Sequence, residues 1–176
     1  MSAEVPAADL AATDTLARDV VATLTARGLT IAVAESLTGG LLVAELISVP
    51  GASAVVRGGV VAYNTQLKHS ILGVSADLLA HQGAVDPDVA GQMAAGVRVA
   101  CAVDGVPASI GISTTGVAGP DPQDGKAVGT VFVGIATDEG TNILALHLDG
   151  TREAIRRTVV SESLAKLKDI LTTLPT

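Results

Sequence analysis

"LTIAVAESLTGGLLVAELISV", residues 29–49, changes character half-way along. Its first part, "LTIAVAES", reads as a buried strand, a short apolar run with polar residues only near its ends. Its second part, "GGLLVAELISV", reads as a helix that stops before Pro50-Gly51. Ser36 therefore falls at a strand-to-helix turn, where backbone N–H groups and the positive end of a helix dipole converge. Three uses are open to it: a helix cap, part of a phosphate cradle, or the seat of a nucleophile. The cradle is the weakest fit, because the run is not G-x-x-x-x-G-K-[ST] and no lysine follows the glycines. The nucleophile-elbow pattern G-x-S-x-G is also missing, since Ala34 stands where its first glycine would be.

The rest of the chain extends the alternation. Leu16, Val20, Val21 and Leu24 have helical spacing from about Asp14, and Gly28 closes that helix. The Ala-rich residues 1–13 are expected to be a loose lead-in to a single domain over 14–176. A strand "GGVVAYN" runs into a short helix, "TQLKHSILGV", ended by Gly73. In "DPDVAGQMAAGVRVACAVDG" Asp86 is an N-cap and Pro87 takes the first helical position. Then come a strand "ASIGIS", a Gly/Pro loop "TTGVAGPDPQDGKAVG", strands "TVFVGIAT" and "NILALHL", and a final helix from about Thr151. Long crossovers make the early strands parallel, and the hairpin "GIATDEGTNILA" makes a late pair antiparallel. The expected fold is a three-layer α/β/α sandwich around a mixed, mostly parallel sheet.

Composition narrows the function. The 176 residues are 48% hydrophobic and 16% charged, which excludes disorder and allows a real core. One Tyr, one Phe and no Trp leave no platform for stacking bases, and a net charge of −7 argues against nucleic acid. A single Cys excludes an internal disulfide and a Cys-based zinc site. The acidic N-terminal stretch lacks the basic region of a secretory signal, and no apolar run reaches the roughly 20 residues that span a bilayer. A cytoplasmic protein without membrane partners is expected. Mean hydropathy of +0.51 predicts apolar surface that one copy cannot cover, hence a homo-oligomer.

A nucleophilic serine needs a base. His69, His81 and His147 stand in polar or alternating stretches without a triad signature. The other candidate is Lys68, five residues after the only tyrosine, Tyr63, and neutral at working pH only if burial lowers its pKa. A solvated lysine and a core-capping tyrosine would explain the same residues. The loop after "SIGIS" is shaped by Gly116, Gly119 and Pro120, and such loops beyond strand ends often carry ligands. Arg152 and Arg156, one turn apart at a helix start, oppose the dipole there and suit a bidentate hold on phosphate.

Taken together, "AESLTGG" (34–40), "GGVVAYNTQLKHSILGV" (58–74), "HQGAVDPDVAGQMAAGVR" (81–98), "TTGVAGP" (114–120), "VGTVFVGIAT" (128–137) and "DGTREAIRR" (149–157) resemble the CinA C-terminal domain family, the nicotinamide-nucleotide amidases, in their stand-alone form. The resemblance implies a three-layer α/β/α fold and hydrolysis of nicotinamide mononucleotide to nicotinic acid mononucleotide and ammonia, without metal or cofactor. By motif position it makes Ser36 the nucleophile, Lys68 the general base and Tyr63 its helper. Thr38, Gly39, Gly40, Thr115, Gly116, Ala118, Gly119, Arg152 and Arg156 are the expected substrate-binding residues. The sequence departs from the pattern at Leu37, where the family usually has Cys, and in "DPQDG" with Ala127, where it usually has Gly/Ser and Pro. The competing class is a non-catalytic nucleotide-binding or regulatory module of the competence/damage-inducible family. A Ser/Lys peptidase shares the chemistry but not these motifs.

Overall fold

The structure, a computed structural model, describes residues 7–174. Its elements are α1 (Ala7–Arg27), β1 (Ile31–Glu35), α2 (Leu41–Ile47), β2 (Val56–Val61), α3 (Thr65–Ser70), α4 (Ala76–Gln82) and α5 (Pro87–Ala100). β3 (Ile110–Gly116), β4 (Thr130–Thr137), β5 (Gly140–His147) and α6 (Arg152–Thr173) complete it. α1 takes in residues 7–13 of the expected lead-in, whose first six residues lie outside the described part. Among the described residues no helix is long and apolar enough to cross a membrane.

The five strands form one sheet in the order β2-β1-β3-β4-β5. β1 pairs in parallel with β2 and β3, while β4 runs antiparallel to both β3 and β5. Four strands thus share one direction and β4 alone is reversed, as the long early crossovers and the late hairpin require. The chain leaves β1 for β2 on one side and returns to β3 on the other. The carboxyl ends of β1, β2 and β3 meet at that switch point, the usual place for a ligand in an open α/β sheet.

The two faces of the sheet are packed with different sizes of side chain. On β1, Ile31 and Val33 join the core beneath α1 and α6, with Leu24, Val159 and Leu164. Ala32 and Ala34 point the other way, into a smaller core with Val89, Met93 and Val97 of α5. Small residues let α5 sit almost on the backbone. A Cβ on Gly111 of β3 would lie 1.9 Å from the carbonyl oxygen of Ala94. Ser113 Oγ fastens the same contact by donating to the Ala90 carbonyl at 2.6 Å.

Local signals hold at most helix starts. Asp86 accepts from Asp88 N at 2.8 Å, and Thr151 accepts from Ala154 N at 3.2 Å. Two segments differ from the sequence reading. α4 has no counterpart there, although Ser75 caps it by accepting from Leu78 N at 3.3 Å and Gly83 ends it. β3 runs on through Thr114, Thr115 and Gly116, which the reading gave to the loop, because β4 offers them a partner strand as far as Val131. The connection is therefore residues 117–129, and it is not a plain loop. Gln123 and Lys126 exchange N–H···O bonds of 3.1 and 2.8 Å around Asp124-Gly125, both at positive φ. It is a β-hairpin arm closed by an Asp-Gly turn.

Candidate active site

Glu35, the last residue of β1, settles what the turn after it does. Its side chain is 1% exposed and takes three amides at the start of α2: Gly40 N at 2.9 Å, Leu42 N at 3.1 Å and Val43 N at 2.8 Å. A carboxylate on the positive end of the helix satisfies three of its four orphan donors and the dipole together. Ser36 is consequently not the cap. Nor is the turn a phosphate cradle, since the chain's own anion fills it. Gly39 N donates to Ser36 O at 3.2 Å, so the amides of Gly39 and Gly40 are both spent. Glu35→Gln, which replaces one acceptor oxygen by a donor facing these amides, is expected to cost about 3 kcal/mol. A shift of the urea midpoint at unchanged slope would show it.

The turn is braced from behind. Thr38 is buried with its Oγ1 2.7 Å from Thr114 Oγ1. Arg156 reaches across from α6 and donates through Nε to Leu37 O at 2.8 Å and through Nη2 to Thr38 O at 2.9 Å. Four expected substrate residues, Thr38, Gly39, Gly40 and Arg156, therefore shape the turn and do not line the cavity in front of Ser36. Arg156 commits Nε and one N–H of Nη2 to backbone carbonyls of the turn.

Ser36 is 9% exposed, and its N–H extends the β1–β3 ladder by donating to Thr114 O at 3.0 Å. The side chain that meets it comes from α3. Asn64 caps that helix by accepting from Gln66 N at 2.9 Å, and Lys68, one turn in, folds back over the end of β2. Lys68 is 1% exposed. Its Nζ donates to Ala62 O at 2.8 Å and to Ser36 Oγ at 3.0 Å. Among the described residues no carboxylate forms an ion pair with the amine, and burial pulls its pKa down from 10.5 to about 8.

Tyr63 lies elsewhere. It is 61% exposed, and its hydroxyl accepts from Arg152 Nη2 at 3.1 Å, with no hydrogen bond to Lys68 or Ser36. Arg152 Nη1 donates to Gly119 O at 2.8 Å, so the arginine links the end of β2 to the hairpin arm. The expected contact of Tyr63 with the lysine is replaced by this bridge at the rim, because α3 turns Lys68 inward while Tyr63 faces solvent. All four of these residues line one cavity of about 200 Å³: Ser36, Lys68, Tyr63 and Arg152. Thr115, Gly116, Ala118 and Gly119 line it too, as expected, although Thr115 spends its hydroxyl on Ala84 O at 2.6 Å. Asp121 and Gln123 of the arm also line it and were not singled out from sequence. Their signal lay in the departure "DPQDG", which begins two residues after Gly119 at the cavity's edge.

The match to the CinA C-terminal domain covers residues 13–171. The chain belongs to this family. A CinA-like protein of Frankia casuarinae is 47% identical over 164 residues, covering 93% of this chain and 37% of that protein. A Geobacillus relative named for competence-damage inducibility is 51% identical over 144 residues, covering 81% of this chain and 33% of its own length. The chain thus spans about a third of the curated relatives it matches. Solved CinA-superfamily structures match over nearly their full length. The Klebsiella pneumoniae one has a TM-score of 0.86 at 30% identity, covering 92% of this chain and 99% of that one. The competence/damage-inducible protein of Agrobacterium tumefaciens has a TM-score of 0.84 at 32% identity, covering 98% and 100%. The CinA fold is therefore shared over nearly the whole chain.

Proposed function

We propose that the chain is an amidohydrolase that converts nicotinamide mononucleotide to nicotinic acid mononucleotide and ammonia, in the cytoplasm, by Ser/Lys catalysis. The observation that carries this is the pair itself: a buried amine, unpaired with any carboxylate, 3.0 Å from a serine hydroxyl at the floor of a cavity. A solvated lysine or a structural serine needs no such meeting.

In the neutral amine one N–H keeps its bond to Ala62 O, and the lone pair takes the Ser36 proton as Oγ attacks the carboxamide carbon. The resulting ammonium then protonates the departing amine, which leaves as ammonia and gives an acyl-serine. Water attacks that ester with Lys68 again as base, and the proton returned to Ser36 frees the carboxylate product. Among the described residues the amides of Leu37 and Thr38 have no acceptor, whereas that of Gly39 is spent on Ser36 O and that of Gly40 on the Glu35 carboxylate. The Leu37 amide directly follows the nucleophile and lines the cavity, so it is placed to stabilise the oxyanion.

Purified protein given nicotinamide mononucleotide should release ammonia, and a panel of peptides should not be cleaved. Tight binding of the mononucleotide with no ammonia released over hours would favour the binding-module reading instead. Arg152 lies at the rim with one N–H from each terminal nitrogen on a neighbour and a second N–H on each left over, and we assign it the substrate phosphate. Arg152→Ala should raise KM about tenfold or more for the mononucleotide and much less for nicotinamide riboside, which lacks the phosphate. Ile47, Val61, Leu67 and Ile71 remain exposed, and we propose that the protein is a homo-oligomer. Light scattering at micromolar concentration should give a mass above the 17.5 kDa of one copy.

A further inference from the structure

The hairpin arm brings two polar side chains to the cavity that catalysis leaves unused. Asp121 and Gln123 both line it, and among the described residues neither side chain has a hydrogen-bond or ion-pair partner in the protein. The arm that carries them is not a slack loop. Gln123 and Lys126 zip it across the turn, and Arg152 holds Gly119 O at its base. In the turn itself, the Asp124 carboxylate accepts from Ala84 N at 3.2 Å. Ala84 in turn lines the cavity and anchors Thr115. Two acceptor-bearing side chains are thus held in place over the pocket without a donor from the protein.

Burial orders the cavity from floor to rim. Ser36 and Lys68 are buried, whereas Asp121, Gln123 and Arg152 are exposed. A carboxamide attacked at the floor leaves the rest of its molecule pointing outward, toward the arm. Arg152 suits an anion there, but a carboxylate beside it does not, because like charges repel. Asp121 suits a part of the ligand that donates hydrogen bonds. Carboxylates read sugar hydroxyls in this way in other nucleotide sites.

We infer that Asp121, with Gln123 beside it, accepts hydrogen bonds from the vicinal hydroxyls of a pentose attached to the amide-bearing ring. The pocket then selects ribosyl amides over bare aromatic amides. This rests on the amidase reading for the orientation of the ligand, and binding tests it apart from turnover. The probes are nicotinamide riboside and its 2′,3′-dideoxy counterpart, titrated calorimetrically into Ser36→Ala protein, where no hydrolysis intervenes. The riboside should bind about tenfold or more tightly than the dideoxy compound, and adding Asp121→Ala should erase that difference. An undiminished preference in the Asp121→Ala protein would overturn the inference. So would an equal loss for both probes, which would mean that Asp121 pairs with the charged pyridinium ring or supports the arm. Failure of the unaltered pocket to bind the riboside would overturn it as well. If hydroxyl-dependent binding is found and lost with Asp121 while wild-type protein releases no ammonia, the subsite stands and the amidase reading falls.

Discussion

Ser36→Ala protein is expected to release ammonia from nicotinamide mononucleotide at least about 10³-fold more slowly than the parent while keeping its melting temperature. Removing a nucleophile that works as a unit with its base abolishes nearly all of the catalysis the pair supplies. Apart from the bond that Ser36 Oγ accepts from Lys68 Nζ, the fold has little at stake in the hydroxyl. Ser36 is held by its backbone N–H on Thr114, and the cap of α2 belongs to Glu35. The residual rate reports what the Leu37 amide and substrate positioning achieve alone. Full activity in this variant, at a purity that excludes contaminating amidases, would end the nucleophile assignment.

Lys68→Met is expected to remove activity to a similar extent and, unlike the serine change, to alter stability with pH. The folded-state pKa of about 8 lies below the unfolded value near 10.5. Below pH 8 both states hold the proton, so the folded protein carries the full cost of a buried, unpaired ammonium. Between pH 8 and 10.5 the unfolded state binds more protons, and stability rises with pH across that window. Methionine removes the charge, so the variant should melt a few degrees higher than the parent at pH 6 and lose the alkaline rise. Activity of the parent should follow the same titration. Because only the neutral amine accepts the serine proton, kcat/KM should rise about tenfold per pH unit below 8 and level off above it. A flat profile from pH 6 to 9 would show that Lys68 is no base. The protein keeps a destabilising group where its chemistry needs one, the usual trade at an active site.

Much of this architecture is legible in period and punctuation. The switch at Ser36 from a continuous apolar run to helical spacing marks β1 and α2. Asp86-Pro87 marks α5 to the residue, and the Asp138-Glu139 turn marks the β4–β5 hairpin. What escaped depended on partners distant in sequence. The far end of β3 looks like loop because "TTG" has little strand character of its own, and only pairing with Val131–Val133 makes it strand. The site is less legible still. Nothing local says that Lys68, 32 residues on, turns inward to Ser36, because an exposed lysine on α3 would have the same spacing. The pairing came from resemblance, and the structure supplies its geometry. Glu35 shows the opposite failure. It read as the end of a strand, and its role is set by amides five to eight residues later, a capping distance that the usual serine or aspartate signature does not cover. Tyr63, read as a helper of Lys68, and Arg156, read as a substrate residue, each have partners within the protein that no local pattern announces.

The single reversed strand has a consequence for how the pocket can change over time. Had β4 run parallel to β3, the chain would have needed a crossover of a dozen residues or more across a face of the sheet. Because it is antiparallel, residues 117–129 leave and re-enter the sheet side by side, next to the mouth of the cavity. Lengthening such an excursion costs little closure entropy and moves no strand. The arm is an exchangeable cassette. Ser36, just past the end of β1, and Lys68, on α3, stay fixed, while insertions, deletions or grafted tips between Val117 and Gly129 re-equip the same reactive pair for differently decorated amides.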